Sequence, residues 1–309
     1  MPAWSPAHSR CALLACLLAC LLGGCERARH EAAGPTPSVR LAGVLLDPQL
    51  GETSGLATST RHRDVLWLHN DGGEGRLFAT STGGSRRASF RIEDVTRTDW
   101  EDIAAFKLDG RHYLLIADTG DNGGLRRTLQ LHVVEEPKRL RNARLTPAWS
   151  IVFRWPDGPR DCEAVAVDPA SGQILLVSKK RSPPELFSLP LRPAGTGVQT
   201  ATPLGTLAGV PVADTQRLRQ SPRRAQVDAH VTAAAVSPDG NTLAVMTYRY
   251  LLLYPRQPRE RWADAIARPP RTSQLPWLPQ AEAMDFSADG KSLYATGEFI
   301  PAPLYRITP

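Results

Sequence analysis

The chain has 309 residues and a formal net charge of +6, with charged residues making up 22% of it. This excess of positive charge is mild and spread along the sequence, whereas a nucleic-acid-binding surface needs a concentrated basic stripe with aromatic residues. The composition therefore argues against nucleic acid as a partner. Frequent Gly and Pro (24 and 27 residues) separate short apolar runs rich in Val, Leu, Ile, Tyr and Trp, which is typical of an all-β protein.

Residues 1–24 are predicted to be a signal peptide. Arg10 is their only charged residue, and the apolar run that follows it, residues 11–22, is too short to cross a bilayer as a helix. The run ends in Leu22-Gly23-Gly24-Cys25, which resembles a lipobox. This resemblance implies cleavage before Cys25 and attachment of lipid, including palmitate, to that cysteine. An ordinary secretory signal that happens to contain a cysteine is the alternative.

The predicted mature chain begins with a tether, residues 25–38, which is polar and contains prolines. Glu26, rather than Asp, follows the lipidated cysteine. By resemblance to Gram-negative lipoproteins, this favours the outer membrane, with the domain facing the periplasm or the cell surface. Cys162 is the one cysteine left in the mature domain, so no internal disulfide is expected there. We expect residues 39–309 to form a monomeric domain.

Five segments of this domain repeat one plan. Each opens with a polar residue and a short apolar strand, and second and third strands follow. The opening residues, called openers below, are Ser54, Glu101, Glu163, Thr232 and Glu282. In four segments an Asp-Gly or Ser-Gly turn separates the first two strands, as in tight hairpins, because glycine accepts positive φ. Repeats of this length with several strands each are typical of propeller blades.

The repeat predicts a single β-propeller with five blades. The strand at residues 39–47 is expected to supply the missing outer strand of the last blade and so close the ring. A sixth blade in the long interval between the third and fourth openers is the alternative, although residues 190–228 show no second strand–turn–strand pattern. A β-sandwich or two small β domains would not explain five restarts of one motif.

Propeller geometry predicts a functional site at one mouth of the channel. The first strand of every blade lines the channel, and its start lies on the same face as the end of the second strand. The openers and the second-strand ends should therefore meet. The predicted metal ligands are Glu101, Glu163, Glu282, Asp118, Asp121 and Asn122. The residues predicted to contact a ligand are Asp71, Lys179, Arg249 and Glu298.

Crowded carboxylates repel one another and hold protons unless a cation lies among them. Ca²⁺ is the expected ion because it takes about six to eight oxygens from carboxylates, amides and water. No cluster of His or Cys indicates zinc or copper. The alternative is a ring of salt bridges, in which the counter-ions are Lys179, Lys180, Arg126, Arg160 and Arg249.

The segments SGLA, DWEDIA, EAVA, TAAAVSPDG and QAEAMDFSADGKSLYATGE resemble the bacterial propeller proteins described as SdiA-regulated. They are also similar to the wider group of phytase-like and NHL-type propellers. The resemblance spans roughly residues 50–309 and implies a five-bladed propeller with an acidic central site that holds calcium. It implies little about activity. The basic stretch at residues 214–224 has no counterpart in the pattern.

Two functions fit these features best. The first is a lipid-anchored binding module of the cell envelope that holds a small molecule, a glycan or a protein at the channel mouth. The alternative is a metal-dependent hydrolase, either a phytase-like phosphoesterase or a lactonase type, in which the metal activates water or polarises the substrate. No histidine recurs as a dedicated base, which favours the binding module. A purely structural envelope protein with a salt-bridge ring is a third possibility.

The lipobox gives the first testable prediction. Cys25→Ser should release the protein from membranes or leave it uncleaved, because that residue alone occupies the lipidation position. Membrane fractionation and gel mobility check this, and Cys20→Ser is the matched control that should stay membrane-bound. A Cys25→Ser protein that remained in the outer-membrane fraction at wild-type mobility would contradict the prediction.

Overall fold

The computed structural model describes Met1 and residues 37–309. The predicted signal peptide, Cys25 and the tether up to residue 36 lie outside the described residues. Within the described part, no helix is both long and apolar enough to span a membrane.

Short strands with buried apolar residues, separated by turns and loops, are the main regular structure of residues 37–309. In chain order, the strands are β1 (Ser38–Leu45), β2 (Thr53–Thr58), β3 (Val65–Asn70), β4 (Arg76–Ser81), β5 (Arg86–Ile92), β6 (Trp100–Leu108), β7 (Arg111–Asp118), β8 (Leu129–Glu135), β9 (Ala143–Leu145), β10 (Trp149–Arg154), β11 (Ala164–Asp168), β12 (Gln173–Val177), β13 (Glu185–Pro190), β14 (Gln199–Thr200), β15 (Thr202–Thr206), β16 (Val231–Val236), β17 (Thr242–Thr247), β18 (Tyr250–Pro255), β19 (Arg271–Gln274), β20 (Ala281–Phe286), β21 (Leu293–Gly297) and β22 (Ala302–Thr308). The helices are a 3₁₀ turn (Pro48–Leu50), α1 (Thr215–Gln220), α2 (Pro222–Val227) and α3 (Trp262–Ile266).

These strands form five sheets, which are the blades of a β-propeller. In strand order they are β2-β3-β4-β5-β9, β6-β7-β8-β10-β14, β11-β12-β13-β15, β16-β17-β18-β19 and β20-β21-β22-β1, called blades 1 to 5 below. The innermost strands β2, β6, β11, β16 and β20 contact one another in that order, and β20 contacts β2 again. The five-bladed propeller predicted from the repeat is confirmed.

The N-terminal strand closes the ring. It pairs antiparallel with β22, from Ser38 opposite Thr308 to Leu45 opposite Ala302. Where blade 5 meets blade 1, the backbone of Gly43 packs so closely against Gly83 that a side chain at Gly43 would collide with it. The outer strand of the last blade therefore comes from the start of the domain, as the sequence predicted.

Two short strands tie neighbouring blades together. The chain leaves blade 2 after β8, adds β9 parallel to β5 of blade 1, and returns as β10. In the same way, the chain leaves blade 3 after β13, adds β14 parallel to β10 of blade 2, and returns as β15. Residues 190–228 contain β14, β15, α1 and α2 and no further blade, so the count is five.

Apolar side chains fill the spaces between adjacent blades. One cluster joins blades 2 and 3 and contains Phe153, Trp155 and Phe187, and another joins blades 1 and 2 around Trp67 and Trp100. Successive side chains of a strand point to opposite faces of the blade, and neighbouring blades cover both faces. Packing between blades fixes the innermost strands, and these strands carry the candidate site.

Ring closure gives the second testable prediction. Removal of residues 38–45 exposes the edge of β22 and deletes a ladder of hydrogen bonds, and such an edge promotes association. A chain that begins at Asp47 should therefore melt at a lower temperature and form oligomers, whereas one that begins at Pro37 should not. Scanning fluorimetry and size-exclusion chromatography check this. If both chains were monomeric with equal melting temperatures, β1 would not be needed for closure.

Candidate functional site

One backbone hydrogen bond recurs at the same place in all five blades. Its donor follows the second strand, and its acceptor lies two residues before the opener. The pairs are Asp71 N–H to Glu52 O (3.0 Å), Gly120 to Asp99 (3.3 Å), Lys179 to Asp161 (3.1 Å), Tyr248 to His230 (3.3 Å) and Glu298 to Gln280 (3.2 Å). The donors, acceptors and openers of the five blades together form the channel mouth.

Each opener is an extra residue in the pairing of its blade's first two strands. The strand register skips it in four blades, at Ser54, Glu101, Thr232 and Glu282. In blade 3, Ala164 pairs with Val177, and Lys179 N–H donates to Asp161 O. Between these two pairs the second strand has one residue, Ser178, whereas the first strand has two, one of which is Glu163. Such β-bulges re-aim side chains and are enriched next to active sites.

The two hydroxyl openers bond to the neighbouring blades. Ser54 Oγ of blade 1 donates to the backbone oxygen of Glu101 at 2.8 Å and lies 3.2 Å from its Oε2. Thr232 of blade 4 donates to Ala281 O of blade 5 at 2.6 Å. The hydroxyl openers therefore link neighbouring blades, while the acidic openers carry the charge of the mouth.

Glu101, Asp161 and Glu163 form a carboxylate cluster between blades 2 and 3. One oxygen from each lies within 4.8 Å of the others, and all three residues are buried. Gly120 makes this arrangement possible, because a side chain there would collide with the carboxylates of Glu101 and Asp99. The structure brings the predicted ligands Glu101 and Glu163 together and places Asp161 beside them, and ligation of an ion by these residues stays a prediction.

The cluster is electrostatically crowded. Burial, followed by the charges of Glu163 and Asp99, raises the pKa of Glu101 well above its usual range. Burial also raises the pKa of Glu163 to about 7, although the ion pair with Lys179 opposes the shift. Lys179 Nζ also lies 5.4 Å from the ring centroid of Tyr248. Near neutral pH these carboxyl groups therefore hold protons unless more positive charge reaches them.

A second group of carboxyls lies on the blade 5 side of the mouth. Tyr248 Oη donates to Glu282 Oε1 at 2.7 Å. Burial and the neighbouring Glu282 raise the pKa of Glu298 to about 8. Burial and the charges of Glu298 and Glu52 raise the pKa of Asp71 to about 6. These groups change protonation near neutral pH, as general acids and bases do.

The charges of eight carboxyl groups at the mouth act on one another. They belong to Glu52, Asp71, Asp99, Glu101, Asp161, Glu163, Glu282 and Glu298. Within residues 37–309, the cations that act on them most strongly are Arg97, Arg126, Lys179 and Lys180. Salt bridges thus form part of the mouth, including Lys179 with Glu163 and Lys180 Nζ at 2.9 Å from Asp161, but they do not balance all of its acids.

The predicted ligands that follow β7 organise a loop. Asp118 accepts from Thr98 N–H at 2.7 Å and lies 2.7 Å from Arg126 Nη2. Asp121 accepts from the N–H groups of Leu125 (2.8 Å) and Arg126 (3.1 Å). Asn122 Oδ1 lies 2.7 Å from Lys180 Nζ. These contacts hold residues 118–126 beside the cluster, and ligation of an ion by Asp118, Asp121 and Asn122 stays a prediction.

Below the mouth, carboxyl groups link blades across the channel. Asp102 is fully buried, and its Oδ2 accepts from Val165 N–H at 2.8 Å and from Ala234 N–H at 3.4 Å. Asp285 accepts from Thr58 N–H at 2.7 Å. These hydrogen bonds join blade 2 to blades 3 and 4, and blade 5 to blade 1. They fix the innermost strands whose ends carry the openers.

A cleft of about 640 Å³ adjoins the mouth beside blades 4 and 5. Its lining includes Tyr248, Arg249 and the loop that joins β19 to β20. The basic stretch predicted at residues 214–224 forms α1 and α2 on its far side, where Arg217 bonds to Asp228 at 2.8 and 3.1 Å. Arg249, predicted to contact a ligand, thus lies in this cleft, whereas Lys179 lies in the carboxylate cluster.

The chain matches no protein-family model and no curated protein sequence. Among solved structures it is similar to a gluconolactonase from Xanthomonas campestris, with 12% sequence identity and a TM-score of 0.44. The match covers 83% of this chain and 71% of that one. No family match supports the resemblance to SdiA-regulated or phytase-like propellers, and what stands of it is the β-propeller fold.

The raised carboxyl pKa values give the third testable prediction. The pKa of Glu298 rises from 4.5 to about 8, so its contribution to stability is complete below pH 4.5 and lost as the pH rises through about 8. In chelator, the melting temperature should fall over this window, and Glu298→Gln should reduce the fall. Glu74→Gln, an exposed control, should not. Identical pH profiles for all three proteins would contradict the raised pKa.

Proposed function

We propose that residues 37–309 form a divalent-cation-dependent hydrolase for esters of the lactone type, in which the group that is cleaved carries no charge. The observation that carries the proposal is the buried cluster of Glu101, Asp161 and Glu163 next to carboxyls that titrate near neutral pH. A site of this composition combines the two elements that metal-assisted ester hydrolysis needs, which are oxygen ligands for a hard cation and a nearby base.

The three clustered carboxylates are the residues that would hold the cation. Carboxylate oxygens are preferred by Ca²⁺, Mg²⁺ and Mn²⁺, and the cluster contains no thiolate or imidazole that would favour a softer metal. A bound cation would relieve the repulsion between Glu101 and Glu163 and would take over part of the charge that Lys179 now balances. When bound, it would act as a Lewis acid on an ester carbonyl. Calcium is the ion we propose.

The base is a carboxyl group of blade 5. A general base works best when its pKa lies near the working pH, and the pKa of Glu298, raised to about 8 by burial and Glu282, meets this condition. Tyr248 holds Glu282 in place through its hydroxyl at 2.7 Å. The lack of a histidine base, which favoured a binding module at the sequence level, therefore does not count against hydrolysis.

The charge of the mouth favours a substrate whose reacting group is uncharged. Five further carboxyls surround the three of the cluster, and those that are ionised would repel a phosphoester with two or more negative charges. Lys179 and Lys180 are already paired with Glu163 and Asp161, so they offer little attraction to phosphate. The ester group of a lactone or simple ester carries no such charge. This argument favours the lactonase type over the phytase-like phosphoesterase.

We further propose the cellular setting that the N-terminal sequence predicts. Lipid on Cys25 would attach the monomeric propeller to the outer membrane, facing the periplasm or the cell surface. A lipid-anchored binding module would use the same mouth, holding a small molecule, glycan or protein without turning it over. Turnover of a lactone therefore decides between the two functions.

The cation site gives the fourth testable prediction. Calcium at a hundredfold excess over Kd should stabilise the folded state by about 2.7 kcal/mol and raise the melting temperature. Glu163→Gln should abolish most of this shift, whereas Glu74→Gln should retain it. Sodium at equal ionic strength should have no effect. Scanning fluorimetry with and without chelator measures these changes.

Hydrolysis of γ-butyrolactone and δ-valerolactone, followed by proton release, tests the activity itself. Wild type and Glu74→Gln should hydrolyse them in calcium and lose activity in chelator. Glu163→Gln and Glu298→Gln should each lower the rate by about a hundredfold or more, the range expected for loss of a metal ligand or a general base. Calcium binding without turnover would contradict the proposed hydrolase and favour the binding module. No response to calcium, magnesium or manganese would leave only a salt-bridge ring.

A further inference from the structure

The cleft beside the mouth is built from four parts of the chain, one of which is Phe299 after β21. Tyr248 and Arg249 follow the second strand of blade 4, residues 274–280 connect blades 4 and 5, and Arg217 and Arg224 come from the two helices. Tyr248 bonds to Glu282, so it forms the wall between the cleft and the channel mouth. A molecule in the cleft would therefore lie directly beside the carboxyls of blade 5.

Two aromatic side chains are exposed at this cleft. Trp277 is 72% exposed and Phe299 is 57% exposed. The other five tryptophans of residues 37–309 are buried or half-buried, so such exposure is unusual in this fold. Exposed aromatic rings that line a concave surface are typical of ligand sites.

The backbone that presents these rings is strained. Gln280 and Phe299 have φ angles of 42° and 70°, although neither is glycine. Left-handed conformations of this kind cost free energy and cluster at functional sites. Phe299 is held there by the hydrogen bond from its N–H to Gly51 O at 2.9 Å, and Gly297 leaves room for the backbone of Pro279 and Gln280. The packing of blades 5 and 1 thus keeps Phe299 at the cleft.

The cleft carries positive charge, in contrast to the mouth. Its lining contains three arginines and one acid, Asp228. Arg217 forms a bidentate ion pair with Asp228. Arg249 lies 4.0 Å from the same carboxylate, and its other contacts are 3.2 Å to Tyr250 and 3.4 Å to Gln274. Arg224 forms no ion pair within residues 37–309. Two guanidinium groups therefore have donors free for an anion.

We propose that this cleft binds the part of the substrate that is not cleaved, and that this part is an aromatic or similarly apolar body ending in a carboxylate. Trp277 and Phe299 contact the apolar body, and Arg224 and Arg249 bind the carboxylate. The ester end then reaches the channel mouth past Tyr248. The inference rests on the proposed function for the ester, but recognition of the ring and carboxylate rests on the cleft alone.

Calorimetry with 3-phenylpropionate tests the recognition without any hydrolysis. Wild type should bind this probe, and should bind 3-phenylpropan-1-ol and propionate at least about tenfold more weakly, because each lacks one of the two recognised groups. Arg249→Gln, Arg224→Gln and Trp277→Ala should each weaken binding of 3-phenylpropionate by about fivefold or more. Arg87→Gln, an exposed arginine outside the cleft, is the matched control and should bind like wild type. Circular dichroism and melting temperatures confirm that each variant is folded.

Glu163→Gln separates this inference from the proposed function. It should lose the response to calcium yet bind 3-phenylpropionate like wild type, because the cleft does not need the cation. If wild type hydrolysed lactones but bound none of the three probes, the cleft would not recognise carboxylates and the inference would fail alone. Equal binding of 3-phenylpropionate and 3-phenylpropan-1-ol, or a wild-type affinity in both arginine variants, would also overturn it.

Discussion

The mouth of this propeller depends on one hydrogen bond that is repeated in five blades. In each blade the bond from the second-strand end, such as Gly120 N–H to Asp99 O, closes the ladder around one skipped residue. Side chains in a regular strand alternate between faces, so an extra residue changes the face on which the next side chain lies. The bulge thus sends the opener toward the channel while the strand after it keeps its apolar residues between the blades. The fold can therefore bring five polar residues together without disturbing its core.

Equivalent geometry with different residues makes the mouth asymmetric. Blades 2 and 3 have acidic openers and supply the cluster of Glu101, Asp161 and Glu163, whereas blades 1 and 4 have hydroxyl openers that bond to their neighbours. Blade 5 supplies Glu298, whose pKa is raised to about 8 because burial and the neighbouring Glu282 both oppose its ionisation. The proposed cation site between blades 2 and 3 and the proposed base of blade 5 thus belong to the same channel mouth. The basic, aromatic cleft opens beside blade 5, so the proposed reaction site and the proposed substrate cleft form one connected surface.

The blades, their number and the closing strand could be predicted because each blade carries its own opener, apolar strands and, in four cases, a glycine turn. The linking strands β9 and β14 could not be predicted from the sequence. They have three and two residues, which are too few to show an alternation of apolar and polar residues. Asp161 was not among the predicted ligands, because the sequence does not show which of the carboxyls near the openers come within reach of one another. The contacts of Asp121 could not be predicted for another reason. Turns held by side-chain hydrogen bonds and metal-binding loops are both rich in Asp, so the composition of the segment does not distinguish them. The raised pKa values follow from burial, which sequence patterns do not measure.

The central claim is that the skipped residues of blades 2 and 3 create a site for a divalent cation. Anomalous diffraction from crystals of residues 37–309 soaked in Mn²⁺ tests this claim directly, because it locates the ion without assuming an activity. The account predicts an anomalous peak within coordination distance of carboxylate oxygens of Glu101, Asp161 and Glu163, with Lys179 moved away from Glu163. A map with no peak at the channel mouth, and with Lys179 still paired with Glu163, would contradict it.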